Sequence, residues 1–239
     1  GITEALHRHG ARLGISYAGP VLERRVHPLA ESIDCCLVVP CDVSQDSQID
    51  RAAEQAAEKF GQIDILVHAI AFANREELEG PYYATSRDGF RLAMDISVYS
   101  FTALAQAFQP MLNPGGALLT LTYYGGEKVA PHYNVMGVAK AALESATRYL
   151  ANDLGPEGIR VNAISPGPMK TLAGAAIGGA RKTYKHTDQN APLRSNATLE
   201  AVGGTAVYLV SDAGACTTGE IVRVDGGYHV LGMPQGENI

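Results

Sequence analysis

Short apolar segments alternate with amphipathic ones along the whole chain, and this alternation limits the fold more than any other feature. The strand-like segments, rich in β-branched residues, are 12–18, 36–43, 63–70, 116–124, 160–165 and 220–225. The segments with apolar residues at helical spacing are 46–60, 87–111, 133–153 and 199–211. Near-continuous apolar runs such as residues 63–70 indicate strands buried on both faces, hence a parallel sheet. The pattern predicts one doubly wound α/β domain over residues 1–239, with helices on both faces and ligands at the carboxyl ends of the strands.

The beginning of the chain departs from this pattern. Residues 1–10 are predicted to form a helix that ends at Gly10 and leads into the strand at Arg12. A doubly wound sheet ordinarily has a strand and a glycine-rich phosphate turn before such a helix, and the sequence has no Gly-x-Gly-x-x-Gly in that context. We expect the sequence to begin inside the mature protein; the alternative is a chain that lacks half of its cofactor site.

Composition excludes several other classes of protein. The net charge is −6 with no sustained basic run, which argues against a nucleic-acid partner. Apolar stretches are shorter than the ~20 residues that cross a bilayer, so we expect no membrane association. We expect a cytoplasmic location. The four cysteines, at 35, 36, 41 and 216, have no metal-ligand spacing with histidine, so we predict reduced thiols and no metal site.

One group of residues carries recognisable chemistry. Tyr133 and Lys140 are seven positions apart in a predicted helix, almost two turns, so their side chains share one face. A phenol beside an ammonium can stabilise an oxygen that gains negative charge, which suits reduction of a carbonyl or conjugated carbonyl. Tyr123 lies ten residues upstream, at the end of a predicted strand.

Seven segments together resemble the bacterial-type enoyl-acyl carrier protein reductases, a divergent branch of the short-chain dehydrogenase/reductase superfamily with a Rossmann-like fold. The resemblance runs from Gly1 to about Met233 and is carried by residues 41–43, 68–73, 95–101, 119–124, 133–140, 155–168 and 224–228. The spacing is specific, since ordinary members of the superfamily place the lysine four positions after the catalytic tyrosine. The tyrosine pair, ten positions apart, is also similar to that of the enoyl reductases.

The resemblance implies roles for the three residues. Tyr133 would donate a hydrogen bond to the thioester carbonyl and stabilise the enolate. Lys140 would hold the nicotinamide ribose hydroxyls and lend positive charge to the site. Tyr123 would line the acyl channel or help to deliver a proton, with Ala73 at the edge of the substrate.

The cofactor contacts that the resemblance implies lie at the ends of successive strands. Asp42 would accept a hydrogen bond from the adenine amino group, and small side chains would let the cofactor approach the backbone closely. The full set is Ala18, Asp42, Val43, Ala69, Ile70, Ala71, Lys140, Gly167, Pro168, Met169, Thr171, Leu172 and Ala173. We expect NADH; NADPH is possible because Arg24 and Arg25 are placed to reach a ribose phosphate, although they equally suit an exposed helix.

Small residues followed by basic ones, within residues 171–190, predict a mobile segment over the acyl channel. Its basic side chains suit an acidic carrier protein, and they equally suit a solvated face. The expected substrate is an enoyl thioester on acyl carrier protein, and the resemblance implies a homotetramer.

Two alternatives remain at the level of sequence. One is another oxidoreductase of the same superfamily, acting on a ketoacyl or alcohol substrate. The other is a catalytically silent homologue that binds or regulates a partner.

Overall fold

The computed structural model describes residues 1–171, Gly174 and residues 178–238. Within them lie parallel strands, each bounded close to where the sequence predicts it. The strands are β1 (Gly14–Tyr17), β2 (Leu37–Pro40), β3 (Ile63–His68), β4 (Leu112–Leu121), β5 (Arg160–Pro166) and β6 (Ile221–Val224). The apolar, β-branched stretches therefore do form strands.

Helices connect the strands. They are α1 (Ile2–Arg8), α2 (Gly19–Ser32), α3 (Asp46–Phe60), α4 (Arg87–Met94), α5 (Ser100–Phe108), α6 (Asn134–Leu154), α7 (Ala180–Asn190) and α8 (Leu199–Val210). The helix α3 begins and ends where its periodicity predicts, and its buried residues Ile49, Ala52, Ala53 and Ala56 recur at helical spacing. The predicted helix over residues 87–111 is interrupted, since a π-helical turn at Asp95–Tyr99 separates α4 from α5.

The strands form two parallel sheets. In the described part of the chain, β1 pairs with β2, while β3, β4, β5 and β6 are hydrogen-bonded in that order. The register of the larger sheet sets His68 opposite Thr120, and Pro166 opposite Val224. The α/β architecture is as predicted.

Helices cover both faces of the larger sheet. On one face Phe101 of α5 and Leu143 of α6 pack against Leu118 and Val161. On the other face α8 packs against β4 and β5 through residues such as Leu209, and α1 lies against α8. Because both faces are covered, every residue of β5 is buried.

Two helices had no clear signal in the sequence. The helix α2 follows β1 and has an exposed surface that includes Arg24 and Arg25, so it lacks the wide apolar stripe that marks a buried helix. The helix α7 occupies most of the segment predicted to be mobile, and its composition is strongly polar. The mobility of residues 171–190 stays a prediction.

No helix among the described residues is both long and apolar enough to cross a membrane. The same residues contain no cluster of three or more histidine, cysteine or carboxylate side chains that could hold a metal ion. Because the strands are parallel, their carboxyl ends point the same way. The candidate site lies at these ends, among the residues that follow strands β1 to β5.

Candidate active site

Tyr133 and Lys140 lie on α6, and both are buried. Tyr133 is the residue that caps the N-terminus of the helix and is 6% exposed, while Lys140 is 5% exposed. The Lys140 ammonium donates a hydrogen bond of 2.7 Å to the carbonyl oxygen of Leu121, the last residue of β4. The helix thus sets both side chains against the carboxyl end of the central strand.

Tyr123 meets Tyr133 directly. Their rings lie edge to face with centroids 5.0 Å apart, a favourable geometry for two aromatic rings. Tyr123 follows β4 and is half-buried in a cluster that also includes Ala73 and Met136. The structure therefore brings together three of the predicted residues, Tyr123, Tyr133 and Ala73.

Close backbone packing holds the ring of Tyr133 in place. A Cβ atom added to Gly125 would lie 2.4 Å from Cδ1 of Tyr133, and one added to Gly137 would lie 2.7 Å from the carbonyl oxygen of Gly125. Only residues without a side chain fit where the turn after β4 meets the first turns of α6. Sequence analysis missed Gly125, although its position two residues after Tyr123 was a usable signal.

Burial changes the acid–base properties of the pair in opposite directions. Loss of solvent raises the pKa of Tyr133, with smaller contributions from Tyr123 and Glu144. Loss of solvent lowers the pKa of Lys140 to about 8, and the nearby carboxylate of Glu144 opposes that change. The Lys140 ammonium is directed to the carbonyl oxygen of Leu121. Tyr133 is a neutral phenol that can donate a hydrogen bond.

Behind the pair, a buried histidine links β3 to its neighbours. His68 is fully buried, with Nδ1 2.8 Å from the hydroxyl of Thr120 and Nε2 2.8 Å from the hydroxyl of Ser100. Burial, followed by the positive charge of Lys140, lowers the pKa of His68 to about 3. The imidazole is therefore neutral, and it fixes the strand end from which Ala69–Ala71 project.

A serine of the π-helical turn holds the loop that follows β3. The Ser97 hydroxyl donates to the carbonyl oxygen of Phe72 at 3.1 Å and accepts from the Phe72 N–H at 3.0 Å. Ser97 is fully buried and also lies 3.7 Å from the sulfur of Met136. The turn thus positions residues 72–73 beside the tyrosine pair; Ser97 was not predicted as a site residue.

The predicted cofactor residues at the ends of β1, β2 and β3 differ in exposure. Ala18, Ala69 and Ala71 are exposed, and Ile70 is half-buried. One oxygen of Asp42 accepts from the backbone N–H and the hydroxyl of Ser44, at 3.0 and 2.8 Å. Val43 has its side chain in the core between β2 and α3, so only its backbone faces the edge of the sheet.

The predicted residues after β5 form a tight turn. The buried Gly167 donates its N–H to Val224 at 2.8 Å, and Pro168 and Met169 are half-buried. Thr171 donates its N–H to the carbonyl oxygen of Met169. Leu172 and Ala173 lie outside the described residues.

The segment that leads into α7 lies beside the tyrosine pair. A Cβ added to Gly178 would lie 3.2 Å from the ring of His132, the residue before Tyr133. The Lys170 ammonium lies 4.9 Å from the centroid of the Tyr184 ring. These contacts connect the end of β5 with α7, and the segment before α7 with the start of α6.

Comparison with known proteins gives a consistent result. A family model described as enoyl-(acyl carrier protein) reductase matches residues 1–229. Enoyl-[acyl-carrier-protein] reductase [NADH] 1 of Rhizobium meliloti is 53% identical over 98% of this chain and 86% of its own length.

Solved structures agree. The crystal structure of the NADH enoyl reductase of Aquifex aeolicus superimposes with a TM-score of 0.94 at 50% identity, over 97% of this chain and 91% of the other. The reductase of Anaplasma phagocytophilum, solved in complex with NAD, has a TM-score of 0.94 at 50% identity, over 98% and 89%. From the match over nearly the whole chain, the protein belongs to the family of NADH-dependent enoyl-[acyl-carrier-protein] reductases.

Proposed function

We propose that the protein reduces the trans-2 double bond of enoyl thioesters on acyl carrier protein, with NADH, in the elongation cycle of fatty acid biosynthesis. The observation that carries this proposal is the meeting of the half-buried Tyr123 with the buried Tyr133 and Lys140 at the carboxyl end of β4. Family membership identifies the reaction, and this arrangement supports the roles that we propose for these residues.

Tyr133 acts as a hydrogen-bond donor to the thioester carbonyl. Its raised pKa keeps the phenol protonated across the physiological range. The carbonyl oxygen gains negative charge when hydride adds to the β-carbon, so a fixed donor stabilises the transition state more than the substrate. Gly125 and Tyr123 hold the ring against rotation away from that oxygen.

Lys140 fits the role of holding the nicotinamide ribose. An ammonium has three donors, and among the described residues Nζ uses one, to Leu121. The two remaining donors suit a pair of ribose hydroxyls. NADH, when bound, supplies the hydride for the reaction.

The remaining cofactor contacts follow the strand ends. Asp42 has a carboxylate oxygen without a partner among the described residues, which supports a hydrogen bond to the adenine amino group. The exposed alanines Ala18, Ala69 and Ala71 support a close approach of the cofactor to the backbone. Ile70, Val43 and the turn at Gly167, Pro168, Met169 and Thr171 complete the proposed set, with Leu172 and Ala173 as predicted from the sequence.

The acyl chain enters past Ala73 and Tyr123. Support comes from the cluster that these residues form with Tyr133, and from the approach of Gly178 to His132. We propose that residues 171–190 cover this channel and receive the carrier protein.

A steady-state assay of the full-length protein and its Tyr133→Phe variant, with NADH and a short trans-2-enoyl thioester, tests the proposal. We expect kcat to fall about 100-fold in the variant, on the scale of one lost oxyanion donor, with an unchanged NADH Kd. Tyr149→Phe, an exposed tyrosine on the same helix, is the matched control.

The outcomes separate the alternatives. Turnover of a ketoacyl thioester or an alcohol in place of the enoyl thioester would favour the other oxidoreductases of the superfamily. NADH binding without any turnover would favour the silent homologue. Equal kcat in the Tyr133→Phe variant would contradict the role of the phenol.

A homotetramer in the cytoplasm completes the proposal. It is supported by apolar side chains left exposed on the π-helical turn and on α6, with Tyr99 52% and Val138 36% exposed. Sedimentation equilibrium should give about four times the chain mass of 25.3 kDa; a monomer at all concentrations would contradict it.

A further inference from the structure

Two adjacent residues at the end of β4 hold two buried charged side chains of α6. The Leu121 carbonyl accepts from Lys140, as described above, and the Thr122 hydroxyl donates to Oε1 of Glu144 at 2.7 Å. Lys140 and Glu144 are one helical turn apart, so they lie on the same face of α6. Glu144 is 7% exposed, and a buried carboxylate is rare unless something compensates it.

The turn after β4 closes over this face. A Cβ on Gly126 would lie 3.1 Å from Oε1 of Glu144 and 3.0 Å from the backbone nitrogen of Ala141. The close packing leaves little room for Glu144 to swing out to solvent. Its carboxylate is therefore held beside the helical turn that carries Lys140.

The charged groups around the two residues come from several elements. Lys140 is faced by Glu144 from its own helix and by the neutral His68 from β3. Glu144 is faced by Arg148 on α6, by Arg223 on β6, by Glu127 in the turn after β4 and by the phenol of Tyr133. Glu127 pairs with Arg223, which limits its repulsion of Glu144.

We propose that Glu144 is a positioning residue for the reduction: held by Thr122, its carboxylate balances the buried ammonium of Lys140 that binds the cofactor. This inference rests on the role of Lys140 in the proposed function. Burial lowers the pKa of Lys140 and Glu144 opposes that change, while burial raises the pKa of Glu144 and the hydrogen bond from Thr122 opposes that rise. Without the carboxylate, Lys140 loses its proton at a lower pH.

The test is the pH dependence of Lys140 in Glu144→Gln and Thr122→Val, with Thr122→Ser as the matched control. Glu144→Gln keeps the shape and an acceptor for Thr122 but removes the charge. Thr122→Val keeps the shape but removes the donor, and serine restores it. The [13Cε]lysine resonance of Lys140, identified by its loss in Lys140→Met, reports protonation without cofactor; fluorescence titration gives the NADH Kd at each pH.

We expect the Lys140 titration and the pH at which NADH affinity falls to shift downward by about one unit in Glu144→Gln, since one nearby charge has effects of that size. The shift in Thr122→Val should be in the same direction and smaller, because the carboxylate loses its hydrogen bond but keeps its charge. Thr122→Ser keeps the parent midpoint. Unchanged midpoints in both variants would overturn the inference, whatever happens to kcat. A shift in Glu144→Gln alone would overturn the part assigned to Thr122. If Glu144→Gln does not fold, the midpoint in Thr122→Val decides whether the inference holds.

The control Lys140→Met separates this inference from the proposed function. If that variant binds NADH as tightly as the parent, the role of Lys140 is wrong. If it binds NADH weakly while Glu144→Gln keeps the parent midpoint, only the role of Glu144 is wrong.

Discussion

At the scale of single residues, the burial of Lys140 opposes stability. Its pKa is about 8 in the folded protein against 10.5 in an unfolded chain, a difference worth about 3 kcal/mol. Between pH 8 and pH 10.5 the unfolded chain binds a proton that the folded protein does not, so stability rises with pH across this window. The protein thus keeps an unfavourable charge where the proposed function requires one.

Lys140→Met should therefore be more stable than the parent while binding NADH less tightly. We expect a gain of about 2 kcal/mol in the free energy of unfolding at pH 7, because the lost hydrogen bond to Leu121 offsets part of the difference. Urea unfolding at pH 7 and pH 10 measures it, and the gain should shrink at the higher pH. A less stable variant at pH 7 would contradict this account.

Residues whose position follows from their spacing in the sequence could be predicted. Residues whose role depends on contacts between distant segments could not. Tyr123, Tyr133 and Lys140 were found because positions on a helix face or at a strand end follow from numbering alone. Ser97 and Glu144 were missed because their partners, Phe72 and Thr122, are 25 and 22 residues away in the chain. Nothing local marks such pairs.

At the scale of elements, the fit of the turn after β4 against α6 controls the site. Gly125→Ala would drive its Cβ into the ring of Tyr133, which is confined by the ring of Tyr123. We expect kcat to fall about 10- to 100-fold, since small misplacement of a catalytic group has effects of this size. Steady-state kinetics with an enoyl thioester measures it.

Gly204→Ala is the matched control for Gly125→Ala. Gly204 is exposed in α8, and a Cβ added there meets no described heavy atom within 4 Å. The substitution should raise stability by about 0.4 to 1 kcal/mol and leave kcat unchanged. If both variants have the kcat of the parent, the packing does not position Tyr133.

The helices that sequence reasoning found are those with one apolar face. The periodicity of α3 and α6 gave their bounds to within a residue or two, because burial against the sheet imposes it. The helix α7 has no such face, since Thr187 and Asn190 are its buried residues. Asn190 instead accepts from the N–H of Gln235 at 2.9 Å, a contact that only the fold creates.

At the scale of the whole molecule, His68 makes the stability sensitive to acid. Its pKa is about 3 in the folded protein and 6.5 in an unfolded chain, so as pH falls below 6.5 the unfolded chain takes up a proton that the folded protein excludes. Stability should fall by about 1.4 kcal/mol per pH unit from this residue until the pH approaches 3.

Urea unfolding of the parent and of His68→Gln at pH 7 and pH 5 isolates this contribution. The glutamine keeps a donor and an acceptor for Thr120 and Ser100 but does not titrate. The parent should lose about 2 kcal/mol more than the variant between the two pH values. Equal losses would show that the imidazole is not the acid-sensitive group.

The position of β5 inside the larger sheet has a consequence for how the molecule opens. This strand is hydrogen-bonded to β4 on one side and to β6 on the other, and every one of its residues is buried. Among the described residues no further strand pairs with β6. Amide hydrogens of β5 should therefore exchange with deuterium only through global unfolding, and those of β6 through a smaller opening. Equal exchange in the two strands would mean that this edge of the sheet does not open by itself.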